Sequence, residues 1–80
     1  MTTMDTVSLE TLIRKCIAAE QPLVTLYNTN DVEAKARVLY PKAMLVNKKG
    51  EKYIRAFDSL RNDTRTFSLN RILAAHHLTV

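Results

Sequence analysis

Side chains able to bind an anionic ligand are concentrated between Tyr53 and Ile72 of this 80-residue chain. In that segment four arginines stand among aromatic and β-branched residues, at Arg55, Arg61, Arg65 and Arg71. A planar guanidinium group binds phosphate oxygens through two parallel hydrogen bonds. A neighbouring aromatic ring can stack on a base, which contributes roughly 1–3 kcal/mol per base. We therefore expect this segment to present positive charge and stacking surfaces to a phosphate-bearing ligand.

Strand alternation selects the candidate ligand-binding residues. Side chains two positions apart share a face of a strand, so a strand at 52–58 places Tyr53, Arg55 and Phe57 on one face. Arg61 falls in a predicted turn and is left out. If the strands are neighbours, the arginines converge around the tyrosine. The candidates are Arg37, Tyr53, Arg55, Arg65 and Arg71.

A structural role is the alternative for each candidate. The arginines can instead form ion pairs with acidic residues, namely Glu33, Asp58 and Asp63. Tyr53 can be half-buried, and Phe67 is expected in the core. The sequence leaves both roles open.

Charge is distributed unevenly along the chain, whose net charge is +4. Residues 1–34 carry two Lys/Arg against five Asp/Glu, a net charge of −3, whereas residues 35–80 carry ten against three, a net charge of +7. This asymmetry favours an anionic partner, with nucleic acid first. An ordinary basic surface is the alternative. Four lysines near one predicted hairpin end can contact phosphates, although a solvated turn is the simpler interpretation: Lys42, Lys48, Lys49 and Lys52.

The residues needed for other chemistries are missing from the sequence. A single cysteine, Cys16, allows neither a disulfide framework nor a zinc cluster, and its place in an apolar helical stripe predicts a buried, inert thiol. His76 and His77 are adjacent without a third ligand nearby, so no metal site is expected. The sequence contains no catalytic triad pattern and no Gly-rich phosphate loop. We therefore expect neither enzymatic activity nor a cofactor.

Targeting and membrane signals are also missing. The first residues form no basic n-region followed by an apolar h-region, so no signal peptide is predicted. The apolar runs are a few residues long, against the roughly 20 that a membrane span requires. A cytoplasmic protein without a membrane partner is expected.

One helix followed by five or six short strands is predicted. Apolar residues recur at helical spacing from Leu9 to Ile17, Ser8 is the expected N-cap, and Pro22 stops the helix. The helix is predicted over about residues 9–20. Strands are predicted at 23–27, 32–40, 43–46, 52–58 and 64–68, followed by a 3₁₀ turn at 69–71, a strand or short helix at 72–75, and a tail at 76–80.

Alternation in the second strand separates an apolar set from a basic set. The set predicted to face the core comprises Ala34, Ala36, Val38 and Tyr40. The set predicted to face solvent comprises Lys35, Arg37 and Leu39. Pro41 lacks the amide hydrogen needed for a ladder, so the strand is predicted to end there. Gly50 is predicted at positive φ in a hairpin turn over 47–50.

Short strands at 8–12-residue spacing predict a small barrel, capped at one open end by the helix. The whole chain, residues 1–80, is expected to form one domain, with barrel strands over about 23–75. A domain of this size buries only about 60–65% of its unfolded surface. Self-association, most simply as a homodimer, would add buried area.

Three runs of the sequence resemble the WYL domain family: residues 37–41 (RVLYP), 50–58 (GEKYIRAFD) and 65–72 (RTFSLNRI). That family has a Trp-Tyr-Leu triplet on one strand, an upstream Arg-x-x-x-Pro and a downstream Arg-x-Phe-x-Leu-Asp-Arg-Ile-like segment. The departures from this pattern are Lys52 for Trp, Ile54 for Leu and Asn70 for Asp. The residues that match it are Tyr53, Arg65, Phe67, Arg71 and Ile72. The resemblance covers about residues 9–75.

This resemblance implies an Sm-like, SH3-type barrel. It also implies a regulatory ligand-binding role, as in bacterial transcription factors and in phage-defence or CRISPR-associated proteins, with nucleic acids or nucleotides as ligands. A winged-helix DNA-binding domain usually precedes the WYL domain. Only eight residues precede the predicted helix here, so a standalone module is expected.

The expected function is binding of single-stranded nucleic acid or a nucleotide in an arginine–tyrosine groove. The alternative is a protein-interaction module that modulates a transcription or phage-defence partner. It would use an apolar patch on the helix or at residues 72–75 in place of the groove.

Overall fold

The computed structural model describes residues 5–28 and 34–78, except for the side chains of Thr6 and Ala34. Its described part contains one helix, five strands and one 3₁₀ turn, so the fold is mainly β, as predicted. The elements are α1 (Thr6–Ala19), β1 (Leu23–Asn28), β2 (Ala34–Val46), β3 (Lys52–Asp58), β4 (Asp63–Ser68), η1 (Leu69–Arg71) and β5 (Ile72–His77).

The five strands form one antiparallel sheet in the order β4-β3-β2-β1-β5. Within the described residues β4 and β5 are the two edges and do not pair with each other, so the sheet is not closed as the barrel prediction required. The 3₁₀ turn η1 separates these two strands in the chain and redirects it from one edge to the other. The Sm-like or SH3-type barrel stays a prediction.

Helix α1 begins three residues before the predicted start because Asp5, and not Ser8, is the N-cap. The Asp5 carboxylate accepts hydrogen bonds from the backbone amide and the hydroxyl of Ser8, both at 2.9 Å. These bonds stabilise the charged form and lower the pKa of Asp5. The helix ends at Ala19, ahead of Pro22, with Glu20 in the left-handed conformation that closes the last turn (φ 54°).

The core lies between α1 and one face of the sheet. From the helix it takes Leu9, Ile13 and Cys16, as the apolar stripe predicts. The strands and η1 add Leu23, Tyr27, Leu39, Ile54, Ala56, Phe67, Leu69 and Ile72. Burial raises the pKa of the Cys16 thiol, which fits the inert role expected for it. No helix in the described part of the chain is long and apolar enough to cross a membrane.

Pro41 does not end a strand, contrary to the prediction. β2 is thirteen residues long and continues through Pro41. It pairs with β1 along its first half and with β3 along its second half. The register shifts between Pro41 and Ala43. Such an irregularity accommodates a residue that cannot donate to the ladder, since prolines in sheets are confined to edges and bulges. The two strands predicted at 32–40 and 43–46 are therefore one.

The face assignment of β2 is the reverse of the prediction. Arg37 and Leu39 are buried, at 6% and 0% exposure, whereas Ala36 and Tyr40 are exposed. The alternation was correct, but the charged residue was assigned to solvent because its buried partner lies 21 positions later in the chain. Arg37 Nη1 donates to Asp58 Oδ2 at 2.6 Å, and Asp58 is fully buried.

Further hydrogen bonds tie this ion pair to the backbone. The Thr25 hydroxyl donates to the Arg37 carbonyl at 3.1 Å, and the other Asp58 oxygen accepts from the Leu60 amide at 3.0 Å. Buried Arg37 Nε has no hydrogen-bond partner among the described residues. The pair therefore fixes the end of β3 against β2, and the turn after β3 begins from it.

The remaining local predictions are confirmed, apart from the C-terminal tail. Gly50 has φ of +82° in the turn between β2 and β3, and the 3₁₀ turn lies at Leu69–Arg71. The segment after it is a strand, β5, which extends through His76 and His77. Those two histidines were predicted to lie in a tail. The start of the strand predicted at 32–40, and most of the connection before it, fall on residues 29–33, which lie outside the described residues.

The buried ion pair predicts a large loss of stability when one partner is removed. In Asp58→Ala the Arg37 guanidinium stays buried without its counter-ion, and we expect the free energy of unfolding to fall by about 3–5 kcal/mol. Urea titration followed by circular dichroism measures this change. Replacing both partners, as in Arg37→Met with Asp58→Leu, should restore most of the loss, because two desolvated charges are removed together.

Asp63→Ala is the matched control. Asp63 lies opposite Asp58 in the β3–β4 ladder and pairs with Arg65 at 3.6 Å on the surface. Exposed pairs contribute only about 0–1 kcal/mol. Equal losses for Asp58→Ala and Asp63→Ala would contradict the structural role assigned to the buried pair.

Candidate functional site

An open groove of about 630 Å³ lies where the β2–β3 turn, the end of β4 and η1 meet. Its walls combine aromatic, amide, hydroxyl and charged side chains. They come from four separate parts of the sequence: Tyr27; Asn47, Glu51, Lys52 and Tyr53; Thr66 and Ser68; and Asn70 and Arg71.

The strand register explains how Tyr53 reaches this groove. Tyr53 and Ser68 are direct partners in the β3–β4 ladder, and partners in an antiparallel pair project on the same face. The adjacent Ile54 and its partner Phe67 project on the other face, into the core. Tyr53 is half-buried and lines the groove, so part of its side chain is accessible from the groove.

Tyr27 anchors the corner at which β4 passes into η1. Its hydroxyl accepts a hydrogen bond from the Ser68 amide at 3.3 Å. Its ring packs edge-on against Phe67 with 5.3 Å between ring centroids. Because Ser68 is the last residue of β4, this contact places the following residues, including Asn70 and Arg71, at the groove.

Arg71 is an exposed cation of the groove. It is the last residue of η1 and makes no ion pair with any other described residue. The Asn70 side chain beside it is also exposed and lines the same groove. A guanidinium next to an amide offers several N–H donors to an anion.

Lys52, the second cation of the groove, is held by the helix. Its ammonium contacts Glu10 Oε2 at 2.8 Å, and the same carboxylate lies 3.6 Å from Arg14. Glu10 lies in the helix and is buried, at 8% exposure, although it carries a carboxylate. Local sequence patterns do not predict this contact, because Glu10 and Lys52 are 42 positions apart.

The structure brings together only part of the predicted arginine set. Tyr53 and Arg71 line the groove, and Arg55 lies on the same face as Tyr53, two positions further along β3. Arg37 does not reach this surface, since its guanidinium is buried against Asp58. Arg65 lies opposite Ala56, on the other face of the sheet, with Asp63 as its partner. For Arg37 and Arg65 the contacts are thus those of the structural alternative.

Several groove residues were not among the candidates. Tyr27, Asn47, Ser68 and Asn70 are polar or aromatic side chains from separate elements. One signal was available: Asn70 directly precedes Arg71, and both fall in the predicted 3₁₀ turn. The position of Tyr27 depends on the β1–β5 register, which shifts between Leu26 and Tyr27, and local sequence does not reveal such a shift.

The groove combines hydrogen-bond donors with aromatic surface. It offers ammonium, guanidinium and amide donors together with an aromatic ring. Across residues 5–28 and 34–78 there is no cluster of three or more His, Cys, Asp or Glu side chains that could hold a metal ion. His77 lies against Gln21, next to the end of the helix, and Cys16 is buried in the core.

Comparison with known proteins agrees with this architecture. The model of the WYL domain matches residues 9–77. The chain belongs to the WYL domain family. The match contains the helix from Leu9 onward, all five strands and the groove, and the residues described contain no winged-helix domain. No curated protein matches the sequence.

Solved structures with the same fold as this WYL domain include the following one. It is the proteasome accessory factor B/C (PafBC) of Arthrobacter aurescens, with a TM-score of 0.85 and 16% sequence identity. The similarity covers 100% of this chain and 13% of PafBC. At this identity the comparison supports the fold and leaves the ligand open.

The Tyr27 contact predicts a stability difference between two tyrosine-to-phenylalanine variants. In Tyr27→Phe the Ser68 amide loses its acceptor, and we expect the free energy of unfolding to fall by about 1 kcal/mol. The hydroxyl of Tyr40, the matched control, makes no hydrogen bond among the described residues. Tyr40→Phe should therefore leave stability within about 0.5 kcal/mol of the parent. Equal urea midpoints for the two variants would contradict the anchoring role of Tyr27.

Proposed function

We propose that this WYL domain is a regulatory module that binds a phosphate-bearing ligand, single-stranded nucleic acid or a nucleotide, in the groove between Tyr53 and Arg71. The observation that carries the proposal is the open groove in which an arginine free of any described ion pair lies together with an accessible tyrosine ring. Family membership supports a regulatory ligand-binding role. A part in transcription control or phage defence belongs to the same proposal.

The two ends of such a ligand have different requirements, and the groove meets both. Phosphate oxygens need several N–H donors, which Arg71 and the Asn70 amide supply. A base needs an aromatic face, which Tyr53 supplies. The groove is also open, so it can admit one nucleotide of a longer strand as well as a free nucleotide.

Electrostatics favour an anion at this place. Lys48 and Lys49 occupy the exposed turn beside the groove, and Arg71 and Lys52 line it. Glu10 offsets one of these charges and Glu51 another. The balance remains positive, and exposed positive charge raises the association rate and affinity of nucleic acid in a salt-dependent manner.

Arg71 and Arg65 form a matched pair for testing the proposal. A fluorescein-labelled twelve-nucleotide oligothymidine or oligouridine is titrated with protein at 50 and 200 mM salt, and fluorescence anisotropy gives the dissociation constant. We expect Arg71→Ala to weaken binding at least about tenfold, because hydrogen bonds to charged groups contribute about 1.5–3 kcal/mol. The slope of log K against log salt should also fall by about 0.7, the value for one phosphate contact on a single strand.

Arg65→Ala removes the same charge from the other face of the sheet and should change binding by less than about threefold. Two results would contradict the proposal: no binding of either oligonucleotide or of free nucleotides at low salt, or equal losses for Arg65→Ala and Arg71→Ala.

A thermal-shift screen with nucleotides separates a sensor of free nucleotides from a protein that binds single strands. Stabilisation by a mononucleotide equal to that by the oligonucleotide favours the sensor.

A second candidate is a protein-interaction module, as the apolar-patch alternative expects. A shallow depression of about 200 Å³ lies on the outward face of β1, β2 and β5. Its aliphatic lining includes Val24, Leu26, Ala36 and Ala74. Ala74 falls within the predicted apolar segment 72–75, while Ile72 is buried in the core. The lining of this depression contains no Lys, Arg, Asp or Glu, which suits an apolar protein surface.

Substitution of the apolar depression tests this second function. Leu26→Asp should abolish retention of a partner in a pull-down, since a buried unpaired carboxylate is costly at an interface. Arg71→Ala should leave that retention unchanged. Loss of the partner only in Arg71→Ala would contradict this candidate. Circular dichroism of Leu26→Asp controls for unfolding.

A further inference from the structure

Beyond the groove, the outward face of β3 carries an arginine with one aromatic residue on each side of it. Tyr53, Arg55 and Phe57 alternate with the core residues Ile54 and Ala56. Residues across the ladders share this face: Tyr40 lies opposite Phe57, and Ala43 and Thr66 lie opposite Arg55 on the two sides. We call these six residues the outer platform: Tyr40, Ala43, Tyr53, Arg55, Phe57 and Thr66.

Arg55 occupies the centre of the outer platform and is exposed. Its direct neighbours on β2 and β4 are Ala43 and Thr66, both short side chains, so neither covers the guanidinium. Arg55 is exposed and makes no ion pair with another described residue. This differs from Arg37 and Arg65, each of which faces a carboxylate. Arg55 is thus free to bind an anion.

The far end of the outer platform is an aromatic pair. The rings of Tyr40 and Phe57 lie with centroids 6.3 Å apart and planes inclined by 57°. Tyr40 is 37% exposed, and Phe57 is half-buried. Each ring restricts the other, so the aromatic surface is held in place at little additional entropic cost when a ligand stacks on it.

The near end of the outer platform is the groove itself. Tyr53 and Thr66 belong to both, so a ligand in the groove can continue along β3 without leaving the surface. Tyr53 and Phe57 are four positions apart on the strand, a distance of about 13 Å at roughly 3.3 Å per residue. One base cannot cover both rings, whereas consecutive nucleotides can.

We propose that the outer platform extends the groove into a binding track for at least two to three nucleotides of a single strand. One base stacks on Tyr53, another on the Tyr40–Phe57 pair, and Arg55 contacts the phosphates between them. The inference rests on the proposed function of the groove and makes a short single strand, and not a free nucleotide, the preferred ligand. A duplex is excluded, because its bases are paired and stacked and cannot lie on aromatic rings.

Ligand length and platform variants test the proposal together. Unlabelled thymidine and uridine monophosphates and the matching tetranucleotides compete with a labelled oligonucleotide for the intact chain. We expect each tetranucleotide to bind at least about tenfold more tightly than its mononucleotide. The DNA and RNA series show which sugar is preferred.

Two substitutions should act on the tetranucleotide alone. Phe57→Leu removes the ring and keeps an apolar side chain, and Arg55→Ala removes the central charge. Each should weaken tetranucleotide binding about five- to tenfold and leave mononucleotide binding unchanged. Phe57→Tyr keeps the ring and should retain the parental affinity. Arg61→Ala is the arginine control, since Arg61 lies in the β3–β4 turn, off the platform.

The outcomes separate this inference from the proposed function. If mononucleotide and tetranucleotide bind equally, or if Phe57→Leu and Arg55→Ala retain full tetranucleotide affinity, the platform is overturned while the groove stands, provided that Arg71→Ala still loses binding. If the parent protein binds neither ligand, both proposals fail.

Sedimentation velocity gives a further decisive result. A dimer that the Phe57→Leu substitution dissociates would make this face a self-association surface and overturn the platform.

Discussion

The buried ion pair between Arg37 and Asp58 decides how the charges of this domain are divided. A guanidinium 6% exposed against a fully buried carboxylate has one compatible strand face, because its removal from water must be compensated by the partner and by hydrogen bonds. The pair therefore fixes which side of β2 points inward. It also engages the one arginine of β2. The arginines that make no ion pair with a described residue are therefore on β3, in the turn after it and in the 3₁₀ turn: Arg55, Arg61 and Arg71.

Smaller polar contacts position the groove on this framework. The Tyr27 hydroxyl holds the end of β4 through the Ser68 amide, and Glu10 of the helix holds Lys52 at the start of β3. Neither contact involves a residue that the arginine pattern singled out. The positions of the groove residues thus depend on polar contacts between elements distant in sequence, whereas the apolar core follows the helical and strand periodicities.

Local patterns in the sequence were sufficient for the elements and for one face of β3. The Lys52–Asp58 strand, the Gly50 turn and the 3₁₀ turn before Ile72 follow from alternation, positive φ and short-range turn chemistry. Long-range pairing was not available from these patterns. Alternation gives two sets of residues without saying which set is buried. The charge of Arg37 favours the solvent side, and only the distant Asp58 makes burial of that charge possible.

Arginine side-chain resonances give the most direct test of the central claim, that Arg71 and Arg55 are free for a ligand whereas Arg37 and Arg65 are engaged by carboxylates. Nitrogen–proton correlation spectra of the four Nε–Hε groups are recorded while a tetranucleotide is added. The account predicts large shifts for Arg71 and Arg55 and small shifts for Arg37 and Arg65. Shifts concentrated on Arg65 or Arg37, with Arg71 unchanged, would contradict it.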